Sequence, residues 1–164
     1  MLIAIGSVKG APGATTLALA LAARWPTPGA TVVEADPGGG SAAAWFGLCR
    51  EPGLAALATA AARSTTHDGL TPFAQQLPVD VPVVLGPSAD EAPQTVALLA
   101  SRGLDVLRAV SGAGVIVDVG RLDRGSPALP IAAAADLVLV LVRGGSLDAV
   151  DALYSRRPDL LQLA

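Results

Sequence analysis

SVKGAPGATT, residues Ser7 to Thr16, lies between an apolar run, Leu2–Ile5, and an alanine- and leucine-rich run over residues 17–25. This order predicts a strand, a glycine-bearing turn and a helix. Gly10 and Gly13 let the backbone turn tightly and approach a ligand without interference from a Cβ. Thr15 and Thr16 then open a helix whose free N–H groups and positive dipole end favour an anion. A complete phosphate loop adds a lysine directed at the β- and γ-phosphates and a Ser/Thr hydroxyl for magnesium. Thr15 supplies the hydroxyl. Ala14 stands where the lysine belongs.

Outward from this loop, short apolar runs alternate with helical patterns. Strands are predicted over Leu2–Gly6, Ala30–Ala35, Val81–Gly86, Gly114–Val119 and Asp136–Val142. They are near-continuous Val/Ile/Leu runs, as expected for a parallel sheet covered by helices on both faces. Helical patterns cover Thr15–Arg24, Leu54–Arg63, Glu91–Val110, a short piece at Leu129–Ala135, and Leu147–Arg156. The alternation predicts a doubly wound, mostly parallel α/β domain over residues 1–164. Such sheets bind ligands beyond the carboxyl ends of their strands. SVKGAPGATT, EADPGGG (residues 34–40) and DVGR (residues 118–121) all fall there. The glycine run Gly38–Gly40 reads as a mobile loop beside that crevice.

Composition narrows the function classes. The chain has 164 residues, 52% hydrophobic and 15% charged, with mean hydropathy +0.55 and net charge −3. No apolar stretch approaches the roughly 20 residues that span a bilayer, and no secretory leader opens the chain. The cytoplasm is the expected compartment. An acidic balance argues against a broad electrostatic grip on nucleic acid. Direct DNA or membrane binding is not supported, since Arg156-Arg157 beside Pro158 makes a weak patch. Ten of the eleven basic residues are arginines, and the single lysine, Lys9, falls inside the loop. Cys49 reads as a small, partly buried apolar residue, and Trp25, Trp45 and Phe46 read as packing anchors. His67 stands alone in a polar turn. Glu34 reads as a solvated charge at the crevice edge. Arg121, close to Asp118, is a candidate phosphate or partner contact.

KGAPGATT resembles the deviant Walker A loop of the MinD/ParA family, usually KGGxGKTT. The closest flavour is an actinobacterial subgroup with KGSPGVTT-type loops that lacks the P-loop lysine. The resemblance implies a P-loop NTPase-like fold whose loop, Gly10, Ala11, Pro12, Gly13, Ala14, Thr15 and Thr16, binds nucleotide. Lys9 matches the lysine that reaches a partner's phosphates across a nucleotide-sandwich dimer. VVEADPGGG resembles switch I, so Asp36 matches the aspartate that positions the attacking water. VIVDVGR resembles switch II, so Asp118 matches the carboxylate that holds magnesium through water, with Thr15 as the direct ligand. The implied cofactors are ATP and Mg2+. The implied partners are a second copy or a related ATPase, and a regulatory protein. The family's base-recognition segments lie beyond the equivalent of Val142, so this chain is expected to be C-terminally short.

The reading implied by the resemblance is a nucleotide-dependent dimerisation switch that positions or partitions DNA, division or secretion machinery. Replacing the lysine by Ala14 removes a charge-assisted contact worth about 1.5–3 kcal/mol, so ATP binds one or two decades more weakly. That departure keeps open a non-enzymatic scaffold or heterodimer partner of an active relative. A third reading, a dinucleotide-dependent oxidoreductase, draws on Gly6, Gly10 and Gly13 with Glu34 or Asp36 downstream. Its spacing misses the usual fingerprints.

Overall fold

A computed structural model describes residues 1–10, 13–26, 29–64, 69–109 and 113–163. Ala11, Pro12, His67 and Val110 therefore lie outside the described residues. Six strands form one sheet: β1 (Leu2–Ser7), β2 (Thr31–Glu34), β3 (Gln75–Gln76), β4 (Pro82–Val84), β5 (Val115–Arg121) and β6 (Leu137–Leu141). Their order is β3-β4-β2-β5-β1-β6. Every pairing is parallel except β3 with β4. Among the described residues the helices are α1 (Ala14–Ala23), α2 (Ala42–Phe46), α3 (Leu54–Ala62), α4 (Ala92–Arg102), α5 (Leu104–Arg108), α6 (Leu129–Ala133) and α7 (Leu147–Leu160).

Alternation along the strands feeds two cores. Leu2 and Ala4 of β1 pack with Leu54 and Leu57 of α3, Val96 and Leu99 of α4, and Ile131 of α6. Ile3 and Ile5 turn the other way, onto Ala18 and Leu19 of α1 and Ala42 and Ala43 of α2. Successive strand residues point to opposite faces, and both faces here are covered. This is the doubly wound α/β architecture expected from the apolar runs.

Several local expectations change. The single helix expected over residues 91–110 is divided at Gly103, where a Cβ would stand 2.5 Å from Leu99 Cδ1. The short α2 and the two-residue β3 have too few residues to show a period. Helix α7 runs on through Pro158, past the expected end at Arg156. Trp25 packs against the core, as does Phe46, but Trp45 is 56% exposed and belongs to neither core cluster. Cys49 is exposed rather than partly buried.

Register, more than any single element, positions the site. Strand β5 pairs with β1 as Ile5 with Asp118, then skips to Gly6 with Gly120 and Ser7 with Arg121. Val119 is the extra residue of a bulge, a feature that bends a strand and re-aims its neighbours. An unbulged ladder would set Arg121 opposite Val8. The bulge instead sets it across from Ser7, at the root of the glycine loop.

Candidate functional site

The carboxyl ends of β1, β2 and β5 meet at a cleft of about 650 Å³ lined by Ser7, Gly10, Gly13, Ala14, Thr15, Asp36, Gly120, Arg121 and Asp123 among others. All three chemically unusual segments of the sequence thus converge on one crevice. Gly10 and Gly13 have φ of 50° and 111°, conformations that a side chain disfavours. Helix α1 begins at Gly13 with no side-chain cap and no acidic residue in its first turn. Its positive end faces the cleft with no acidic residue of its own first turn against it.

At the cleft floor, Thr15 Oγ1 donates to Asp118 Oδ2 at 2.5 Å. Gly120 N donates to Asp118 Oδ1 at 3.1 Å. Asp118 is almost fully buried. Burial pushes its pKa up from 3.8 to about 6, the bonds from Thr15 and Gly120 oppose the rise, and the Asp36 and Glu34 charges add to it. Asp36, just past the end of β2, also lines the cleft, and Gly38 N donates to its Oδ1 at 2.7 Å. Its carboxylate lies over Gly120, in the space a Cβ would fill.

Glu34 corrects the reading of it as a solvated charge. It is 1% exposed. Its Oε1 accepts from Ser41 N and Ala42 N, each at 2.8 Å, and its Oε2 accepts from Gly86 N at 3.0 Å. Arg50 serves the same loops from the other side: its Nη1 donates to the carbonyls of Gly40, Gly86 and Pro87 at 3.1, 2.7 and 3.1 Å. The glycine run is correspondingly tied down, with Gly39 N bonded to Asp36 O and Gly40 N to Pro87 O. A Cβ on Gly40 would stand 2.6 Å from Glu34 Oε2. Glycine there permits close packing, not looseness. A charge ending a strand that is covered on both faces was the signal that Glu34 is buried.

The expected site residues divide. Gly10, Gly13, Ala14, Thr15 and Asp36 line the cleft, and Asp118 lies directly beneath it. Thr16 is exposed and does not line it. Lys9 points away, its Nζ 3.4 Å from Asp148 Oδ2 at the start of α7. Arg121, only a candidate from sequence, lines the cleft. Arg156 is paired with Asp159 at 3.1 Å instead of presenting a basic patch.

The donor set suits a small hard cation, because Mg2+ is held by one or two carboxylates with waters and phosphate oxygens. A hydroxyl and a carboxylate already in contact, with a second carboxylate lining the same cleft, match that demand. Among the described residues no three His, Cys, Asp or Glu side chains form a cage of their own. No helix among them is long and apolar enough to cross a membrane.

A glycine loop between β1 and α1, with carboxylates from the ends of β2 and β5 near it, is the arrangement of a P-loop NTPase-like fold. Within that class, the fold is that of the ParA/MinD-like ATPases. The chain superposes on the kinase domain of Escherichia coli tyrosine kinase ETK with a TM-score of 0.76 at 20% identity, covering 99% of this chain and 63% of that one. For a ParA family ATPase from Chlorobium tepidum the values are 0.69, 19%, 94% and 64%. For a Cyanothece McdA variant in complex with ATP they are 0.71, 19%, 98% and 62%. The chain thus spans less than two thirds of each of these three chains. By sequence, no protein-family model and no curated protein matches it.

Proposed function

We propose that this chain is a nucleotide-dependent switch that binds ATP with Mg2+ in the cleft between the glycine loop and the ends of β2 and β5. The observation that carries this reading is the Thr15–Asp118 contact of 2.5 Å at the cleft floor. In that reading Thr15 would hold the metal directly and Asp118 through a water, and the metal would supply charge to neutralise the phosphates. The loop amides and the start of α1 take the phosphates. Asp36, which accepts from Gly38 N and lines the same cleft, would orient the attacking water. Lys9 is exposed and free to be exchanged from Asp148 to a partner's phosphates, which suits a nucleotide-dependent homodimer or a heterodimer with a related ATPase. ATP binding by the structurally similar McdA variant supports the choice of nucleotide. The positioning or partitioning roles implied by the resemblance follow as the cellular setting.

Ala14 favours a second reading, a non-enzymatic scaffold or heterodimer partner of an active relative. Calorimetric titration with ATP and Mg2+ separates the two. Saturable binding is expected. No heat at millimolar nucleotide removes the switch and leaves the scaffold.

A further inference from the structure

We infer that Arg121 takes the place of the missing loop lysine, supplying from the end of β5 the cation that holds the nucleotide's terminal phosphates. The inference rests on the nucleotide reading above and adds a residue to it.

Charge in the cleft sets the problem. Asp36 and Asp123 line it and Asp118 lies beneath, so a polyphosphate entering it meets carboxylates. Of the cations considered, Ala14 offers none and Lys9 is turned toward Asp148. Arg121 is the one cationic side chain among the described residues that lines the cleft. Its Nη2 stands 3.0 Å from where a Cβ on Gly10 would be, so the guanidinium lies directly against the glycine loop. Gly10 leaves room for it. A side chain there would collide with the guanidinium or displace it.

The bulge at Val119 explains how a residue on β5 reaches this place, since it brings Arg121 level with Ser7 at the loop's root. Among the described residues the guanidinium's ionic partner is Asp123. Its ion pair with Asp123 is long, at 3.8 Å, and both side chains are more than half exposed. Such a pair contributes little and yields readily to a better anion. A planar guanidinium grips phosphate oxygens through two parallel N–H bonds, which an ammonium cannot do. The substitution is chemically sound. It also accords with a chain in which ten of eleven basic residues are arginines.

The test measures binding by the intact chain of three probes: ATP with Mg2+, inorganic tripolyphosphate, and adenosine. Arg121→Ala is expected to weaken ATP and tripolyphosphate by the same factor, about tenfold to a hundredfold, the loss of one charge-assisted contact. Any adenosine affinity is unchanged. Ala14→Lys added to Arg121→Ala is expected to restore most of the loss, while Ala14→Lys alone strengthens ATP binding by a smaller factor. Equal affinity of wild type and Arg121→Ala for both polyphosphates overturns the assignment and leaves the nucleotide reading intact. A loss that the added lysine does not restore at all overturns it too, because the defect is then not one of charge. If the wild type binds neither polyphosphate, the nucleotide reading itself falls, and Arg121's role with it.

Discussion

The carboxylate of Asp36 rests on the backbone of Gly120, filling the space a side chain would need, and Gly120 itself has φ of 61°. One residue from the end of β2 and one from the end of β5 thereby meet in the cleft that both line. Neither could occupy its place if position 120 carried a Cβ.

Gly120→Ala is therefore expected to lower stability by about 1–3 kcal/mol, through the strained φ and the displaced carboxylate. It should also reduce affinity for ATP with Mg2+. Gly125→Ala is the control, since a Cβ at Gly125 meets open space and lines the same cleft. Thermal melts and nucleotide titrations of the two variants check this. Equal behaviour would show that Asp36 has somewhere else to go.

The buried Asp118 makes stability and binding depend on pH. Its pKa is raised from 3.8 to about 6 by burial, so the folded state holds the proton more tightly than the unfolded chain. The penalty for ionising it is absent below pH 3.8 and complete above about pH 6; at full size it amounts to about 3 kcal/mol. Asp118→Asn is expected to stabilise the protein at pH 7.5 by an amount of this order, and to lose the advantage near pH 4. A cation reverses the balance by favouring the carboxylate, so Mg2+-dependent nucleotide binding should weaken as pH falls below 6. Denaturant melts across pH and calorimetry at pH 5 and pH 7.5 supply the comparison. A pH-independent gain in the variant would remove the burial argument.

Glu34 should behave as a core residue despite its charge. Glu34→Ala leaves the N–H groups of Ser41, Ala42 and Gly86 without the acceptor they share. Each buried orphan costs about 1–3 kcal/mol, so a loss of about 3 kcal/mol or more is expected in urea denaturation. Glu34→Gln retains one acceptor oxygen and should lose less. A change of only about 0.5 kcal/mol, typical of surface sites, would place Glu34 back among solvated charges.

Lys9 and Asp148 form an exposed pair, and such pairs add little to stability. Asp148→Ala should leave the melting temperature nearly unchanged. Lys9→Ala should do the same while weakening nucleotide-dependent association, followed by light scattering with and without ATP. Undiminished association of Lys9→Ala would end its role toward a partner.

How far the site could be foreseen depended on how local each signal was. The loop was legible because Gly10, Gly13 and Thr15 act through their own backbone and helix start, at fixed offsets from one strand. Asp36 and Asp118 were legible as strand ends of the same sheet. Glu34, Asp36's neighbour but one, was misread because its partners lie up to 52 residues away, at Gly86. Trp45 was misread for a related reason: a five-residue helix shows no period from which to tell its inner face from its outer one.

Alternating apolar runs and glycine turns were enough to specify a parallel sheet with helices on both faces, since burial of continuous Val/Ile/Leu strands demands cover on each side. What those patterns could not contain was the register between strands far apart in the chain. A one-residue bulge between β1 and β5 brings Arg121 to the loop, and parallel pairing of β2 with β5 brings Asp36 onto Gly120. Those placements arise from packing across the sheet, a property of the folded chain and of no single stretch of it.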